Sequence, residues 1–573
     1  MTAFDVDLAG LLRVFGGHLY ADPAVFVREL VQNAADAILL RREREPDHAG
    51  AIAVLAEPGA VVFEDDGAGL RPDGIAAALG RIGYSTKRDA TSPRGTTGQF
   101  GIGLLSGFLV AERIAVTTRA HGGDPVRWTG RADGTWTIEP AERAGIGTTV
   151  RLELAAEHHG FAREGRLREL LRRYVRYLPI ALSLGGERLD ERPPWLCPDP
   201  IEAGRAYAIA HGADPIAVLA LARGILWIAA EPAQAQGGRL TVHQNGFLIE
   251  DGVRELLPSW SGFVAGVVDA PELSPTASRE TYVRDRAAAG LAAELRERVL
   301  GWLAALPARD LAAFDRVMRH HATHLRGACA SAPELLAAIG DRIVVETNFG
   351  DVDLPTLLAA SGGDRALRVV TSSQGFGHVA PIATARGLPL VNATYVHDRP
   401  FVEAWAARAG VVLQPMDLEA LEVLIAPAPE QAQRFAAVLA LARTLLEPLD
   451  VEPELGRFEP HSLPGFLVTE PTALRERARS VMRSGASPLA RDLLRGLAVA
   501  RGDRGTRFVL NVDNSLVRAL PDAPDLELAA HAVRLCYAQA AMQVRRTFSA
   551  GEARTFSEDL GKLLMRAVTG AYN

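Results

Sequence analysis

Cysteine is nearly absent from this chain. Its three thiols, Cys197, Cys329 and Cys536, lie far apart, with no CxxC pair and no ligand spacing. That argues against a disulfide framework or a cysteine-bound metal and for buried or incidental thiols. A long hydrophobic run is missing too. The most apolar stretch, Pro215 to Ala230, is broken by Arg223 and Gly224. It falls short of the ~18–20 uninterrupted apolar residues of a membrane helix, so a buried segment of a soluble protein is expected. Met1 to Phe15 lacks a basic segment followed by an apolar run; no signal peptide and a cytoplasmic location are expected. Excess basic charge is lacking as well: the formal net charge is −7, which favours solubility and speaks against a nucleic-acid surface. No 20–50-residue repeat, low-complexity linker or GxxxxGK[ST] phosphate loop occurs.

What is present is ordinary globular composition, 48% hydrophobic and 23% charged over 573 residues. One core cannot serve that length, and at ~100–200 residues per domain three to five domains are expected. Up to about residue 155, glycine turns separate short periodic segments. Asp22-Pro23 reads as a helix start, with the helix running to about Arg44 and Leu30, Ala34, Ala37 and Ile38 as its apolar stripe. Val61–Glu64, Ile114–Thr118 and Thr148–Leu154 read as strands. Further on, Arg239–His243 and Phe263–Val268 read as strands and Leu291–Leu306 as a helix. Between Asp341 and Pro415, short apolar runs alternate with helical stretches, the rhythm of a small parallel sheet. Arg507–Asn511 reads as a strand. Two amphipathic helices follow, one with Leu528, Leu535 and Met542 seven residues apart, the other with Leu560, Leu563, Leu564 and Ala567 on one face.

Four short motifs carry chemistry. Glu29, Asn33 and Asp36 fall at i, i+4 and i+7 and so share one polar helix face. Asn33 can offer an oxygen to Mg²⁺, and Glu29 can take a proton from an attacking water; a merely solvated face is the plainer alternative. Asp65-Asp66-Gly67-Ala68-Gly69-Leu70 follows a strand. Its first carboxylate could accept the exocyclic amine of adenine where glycines let the backbone close in, though a simple turn or a calcium loop has the same pattern. Gly98-Gln99-Phe100-Gly101-Ile102-Gly103 opens an apolar helical run, and such turns bind phosphate through backbone N–H groups. Gly147-Thr148-Thr149-Val150 enters a strand and is weak by itself.

Their order and spacing resemble the Bergerat ATP fold of the GHKL superfamily. The wording from Leu19-Tyr20 through Ala37, and from Gly98 through Ser106 to Ala111, resembles the bacterial, HtpG-type branch of the ninety-kilodalton heat-shock chaperone family. A histidine kinase would need a further segment before this domain, and gyrase and MutL use different second domains. Leu257-Pro258-Ser259-Trp260, Phe263 to Asp269 and Ser278-Arg279-Glu280 resemble that family's middle domain; Leu510-Asn511, Asp513 and Leu516-Val517 resemble its dimerisation domain.

The resemblance implies an α/β (α+β) protein of three domains: a Bergerat α/β sandwich over residues 1–158, an α/β middle domain over 159–450, and a mixed α/β dimerisation domain over 451–573. It implies a homodimeric, ATP-dependent chaperone acting on non-native client proteins, with ATP/ADP and Mg²⁺ as cofactors and neither nucleic acid nor membrane as partner. Glu29 and Arg279 would be catalytic, the arginine clamping the γ-phosphate, and Asn33 would hold Mg²⁺. Nucleotide contacts would come from Asn33, Asp36, Asp65, Gly67, Gly69, Leu70, Leu79, Ser85, Gly98, Gln99, Phe100, Gly101, Ile102, Gly103 and Thr148. Departures exist. Tyr84 stands where the family has a lysine, Ala78 where it has an asparagine and Val283 where it has a glutamine, and the stretch from Leu79 to Gly98 is short. They put hydrolysis in question more than binding and raise the alternative of a nucleotide-gated scaffold with little turnover.

Overall fold

The computed structural model describes residues 22–72, 75, 79, 103–233, 237–276, 280–361, 365–371, 373–416, 427–468, 506–544 and 546–569. The chain divides into two compact units, Met1–His321 and Ala322–Asn573.

The first unit begins with helix α1, Val25–Arg42. Asp22 starts it: its carboxylate accepts from the Ala24 N–H at 2.9 Å, and the Asp22 and Pro23 carbonyls take the first turn's donors. Strands β1 (Ala51–Glu57), β2 (Ala60–Asp65), β3 (Ala111–Arg119), β4 (Val126–Arg131), β5 (Trp136–Pro140) and β6 (Gly147–Leu154) follow. Helix α2 (Glu164–Val175) then leads to strands β7 (Ala181–Leu184) and β8 (Glu187–Arg188). They form one eight-stranded sheet in the order β5-β4-β3-β6-β2-β1-β7-β8. Antiparallel pairing dominates, but β7 joins β1 in parallel, Ala51 opposite Ala181. The sheet therefore runs past residue 158, where the sequence alone suggested a boundary.

One face of this sheet is covered by α1 and α2. Phe26, Leu30, Val31, Ile38, Val54, Phe63, Leu152, Leu167 and Leu171 are buried together there. Burying each large side chain contributes about 1.5–3 kcal/mol. Alternation sets the faces: Val61, Phe63 and Asp65 turn toward the helices, while Glu64 turns away.

Helix α3 (Pro200–Ala210) and strands β9 (Pro215–Leu221), β10 (Gly224–Ala229), β11 (Arg239–Gln244), β12 (Phe247–Val253) and β13 (Val264–Asp269) build a second sheet, ordered β12-β11-β13-β10-β9. The apolar stretch from Pro215 is thus a β-hairpin, with Leu221 opposite Gly224 and Ala222-Arg223 as its two-residue turn. Arg223-Gly224, read as an interruption, is where the chain reverses. Helices α4 (Arg286–Arg309) and α5 (Leu311–Ser331) follow.

In the second unit, helix α6 (Pro333–Ile339) precedes β14 (Val344–Thr347), β15 (Gly350–Asp353), α7 (Leu354–Ala360), β16 (Ala366–Val370), α8 (Ser373–Ala385), β17 (Val391–Asn392), α9 (Asp398–Ala409) and β18 (Val412–Pro415). The sheet is mixed rather than wholly parallel. Strand β16 pairs in parallel with β17 and β18, but β14 pairs antiparallel with β15 and β17, because Asn348 and Phe349 make a hairpin turn in place of a helical crossover. Helices α10 (Pro429–Arg434) and α11 (Ala436–Leu446) lead to β19 (Val451–Gly456), β20 (Gly465–Val468) and β21 (Thr506–Asn511), a three-stranded sheet. Asn514 caps the short α12 (Ser515–Ala519). The chain closes with α13 (Leu526–Gln543) and α14 (Ala550–Thr569).

Helix α13 packs Val533, Cys536, Tyr537, Ala540 and Ala541 into the core. Its heptad stripe of Leu528, Leu535 and Met542 lies on the other, more exposed side. On α14, Leu564 is 56% exposed and Val568 82%. Among the described residues, no helix is long and apolar enough to cross a membrane.

Candidate functional site

Helix α1 is buried nearly all round. Glu29 and Asp36 are as buried as Leu30, and so are Arg28 and Gln32. The shared polar face is therefore not solvated. Burying two carboxylates is costly unless each has partners, and both take part in interactions; the Arg28 guanidinium stands 3.2 Å from Glu29 Oε1. Asn33 is only partly buried.

Opposite this face begins a 3-10 turn, Gly103–Leu109. The sequence suggested a longer helical run here. Gly107 sits where any β-carbon would meet Leu152 and Ile114 at 2.7 and 2.9 Å, so tight packing on the sheet replaces a full α-helix. A β-carbon on Gly103 would stand 3.1 Å from Asn33 Nδ2 and 3.3 Å from Glu29 Oε2. A side chain here would crowd the Glu29–Asn33 face, which glycine leaves open. Ser106 ties the turn, its hydroxyl donating to the Gly103 carbonyl at 2.7 Å.

The Asp65–Leu70 turn docks on the same helix. The Ala68 N–H donates to the Ala37 carbonyl at 2.9 Å, and a β-carbon on Gly67 would fall 2.6 Å from that of Ala37. Gly69 has φ +66°, and a β-carbon there would meet the Arg119 carbonyl at 2.1 Å, so both glycines are required sterically. Asp65 is buried and accepts from the Gly67 N–H at 2.9 Å. Its neighbour Asp66 turns the other way and accepts from the Ala51 N–H at 2.8 Å. The two carboxylates diverge, which is unlike a calcium loop. Burial raises the Asp65 carboxyl to about 7, against the opposing pull of the Gly67 N–H and the Arg143 charge.

Thr148 stands opposite Asp65 across β2 and β6. Between them and the turn lies Thr118 of β3, which no motif singled out. Its hydroxyl accepts from the Leu70 N–H at 2.9 Å, donates to the Gly147 carbonyl at 3.2 Å and lies 3.2 Å from Thr148 Oγ1. A threonine of ordinary strand propensity gives no sequence signal; only the pairing of β3 with β6 brings it in. Leu79 is half-buried against the first core.

Helix α1, the Asp65–Leu70 turn, Thr148 and Gly103 thus converge at one end of the sheet. Ser85, Gly98, Gln99, Phe100, Gly101, Ile102 and Arg279 lie outside the described residues, as do Ala78 and Tyr84. Val283 is described and exposed.

A helix-covered mixed sheet with a buried acidic helix face at one end defines a class. Residues 21–138, within the first unit, match the family described as "Histidine kinase-, DNA gyrase B-, and HSP90-like ATPase". More particularly, the chain is similar to "Chaperone protein HtpG" of Chlorobium chlorochromatii, 27% identical over 342 residues, 52% of this chain and 54% of that one. To the same-named protein of Myxococcus xanthus it is 32% identical over 337 residues, 48% of this chain and 51% of that one. To "Heat shock protein 75 kDa, mitochondrial" of Bos taurus it is 24% identical over 372 residues, 58% of this chain and 52% of that one. The chain spans about half the length of the curated relatives it matches.

Proposed function

We propose that this protein is an ATP-dependent molecular chaperone of the HtpG type, a cytoplasmic homodimer that couples ATP binding and slow hydrolysis to the remodelling of non-native client proteins in protein folding and the stress response. The observation that carries the reading is the buried polar face of α1 opening onto Gly103, with Asp65 beside it.

Asp65 accepts the adenine amine, with Gly67, Gly69, Leu70 and Thr148 shaping the base pocket and Leu79 and Asp36 flanking it. Asn33 offers its side-chain oxygen to Mg²⁺. An amide oxygen on a partly buried side chain beside a carboxylate is a suitable hard donor for an ion that keeps several waters, and when bound the ion would screen the phosphate charge. Glu29 takes the proton of the attacking water. Ser85, the Gly98–Gly103 stretch and Arg279 hold the phosphates by resemblance, Arg279 from the middle domain. The ATP-binding domain, placed at residues 1–158 from sequence, extends through β8. The middle domain runs on to about residue 450, and the dimerisation domain covers 451–573. The exposed apolar residues of α13 and α14 support pairing with a second copy.

The test is steady-state ATPase activity with binding calorimetry. Glu29→Ala is expected to keep nucleotide affinity and lose about 30- to 1000-fold in turnover, the ~2–4 kcal/mol of an electrostatic or proton-transfer contact. Unchanged turnover would remove Glu29 from the role of base. Wild-type turnover at the background of spontaneous ATP hydrolysis, with binding intact, would favour a nucleotide-gated scaffold.

A further inference from the structure

Arg143 belongs to none of the four motifs. It lies between β5 and β6, and its side chain is only 11% exposed. Its Nη2 donates to the Asp65 carbonyl oxygen at 2.9 Å, its Nη1 to Glu64 Oε1 at 3.1 Å and to the Thr149 hydroxyl. Glu64 and Thr149 are register partners, and so are Asp65 and Thr148. Successive pairs alternate faces. Glu64 and Thr149 therefore mark the face away from α1, while the Asp65 carboxyl lies on the helix side. Arg143 grips the strand from behind the sheet. Gly147 makes room for it: a β-carbon there would fall 2.9 Å from Arg143 Nη2 and 2.1 Å from the Asp65 carbonyl oxygen.

We infer that Arg143 is a positioning residue for the nucleotide base, fixing the Asp65 main chain from the opposite face of the sheet and biasing the Asp65 carboxyl toward its acceptor form. The inference rests on the reading of Asp65 as the adenine acceptor. Desolvation disfavours a buried carboxylate, and a nearby cation offsets it alongside the Gly67 N–H. Arg143, behind the strand, acts on the carboxyl through a single peptide unit and leaves the helix side free. Asp66, next in the chain, repels the carboxylate and Arg143 attracts it. Helix α1 contributes Asp36 and Arg41, the latter donating to the Asp66 carbonyl at 2.7 Å.

The experiment compares wild type, Arg143→Met, Arg143→Gln and Arg143→Lys in the full chain. It measures the NMR titration of the Asp65 carboxyl without nucleotide and the pH profile of ADP affinity by calorimetry. Met and Gln both remove the charge, and each is expected to move the Asp65 midpoint and the ADP profile upward by about one pH unit. At pH 6 that is roughly tenfold weaker binding, with the profiles meeting wild type at high pH. Lys is expected to stay near wild type. An unmoved Asp65 midpoint in the charge-removing variants, or an ADP profile lowered equally at every pH, overturns the inference and leaves Arg143 a structural tie. Failure of the underlying reading looks different: a separate Asp65→Asn variant would bind ADP normally, while in the Arg143 variants, which keep Asp65, the carboxyl midpoint still moved.

Discussion

Gly103 and Asn33 face each other so closely that a β-carbon on the glycine would stand 3.1 Å from the Asn33 amide nitrogen. The contact joins the first helix to the turn after the stretch from Gly98. A branched side chain at this position must push Asn33 aside. Gly103→Val is expected to weaken Mg·ATP binding at least tenfold, about 1.4 kcal/mol, while the thermal midpoint moves little. Calorimetry and a melting curve check both, and unchanged affinity would detach Gly103 from the site.

With Asp65 as the proposed adenine acceptor, its carboxyl, raised to about 7 by burial, is expected to make nucleotide binding pH-dependent. Only the ionised form is a pure acceptor, so ADP affinity is expected to rise with pH up to about 7 and then level off, by up to about tenfold per unit below that point. Folding without nucleotide runs the other way. Between the ordinary aspartate range and pH 7 the folded chain holds a proton that the unfolded chain has lost, so this group's contribution falls as pH rises through that window. The thermal shift produced by saturating ADP should therefore be larger at pH 8 than at pH 6. Asp65→Asn is expected to abolish both binding and this difference; a surviving difference would assign the titration to another group.

Thr118 connects three partners with one hydroxyl. Thr118→Val keeps the shape and orphans the Leu70 N–H, at a cost of about 1–3 kcal/mol. Lower stability in denaturant titrations together with weaker ADP binding is the expected pair of effects. Loss of stability alone would make Thr118 a fold residue only.

The tail is expected to pair with a second copy through its exposed apolar residues. Deleting residues 524–573 is the obvious experiment and a poor one, because Val533 and Tyr537 of α13 fill the core beside β21. Leu560→Asp with Leu564→Asp alters only the outward side of α14, where the two leucines are 50% and 56% exposed. Light scattering should then report monomers with unchanged helical content, and a persistent dimer would place the interface elsewhere.

Much of this was legible from residue order. Helix α1, strands β2, β3 and β6, and both closing helices lie within a few residues of where periodicity put them, since each alternates or repeats within its own span. What was lost depends on distant partners. The hairpin at Ala222-Arg223 looks like one apolar segment because both its strands are buried. The pairing of Ala181–Leu184 with β1 joins residues about 130 apart and has no local signature. The polar face of α1 was visible by spacing, but its burial was not, because the covering residues come from elsewhere in the chain. Thr118 and Arg143 act through cross-strand geometry, so neither belongs to a motif.

The parallel seam between β1 and β7 has a practical outcome for anyone trimming this protein. A fragment ending at residue 158 would strip α2 and β7 from the first core, with Leu167, Leu171, Leu182 and Leu184, and would leave the β7-facing backbone donors and acceptors of Ala51–Val54 unpaired. A bare strand edge beside an uncovered apolar surface is a template for other chains. Such a fragment would self-associate, and its aggregation would read, wrongly, as a failure of the nucleotide pocket.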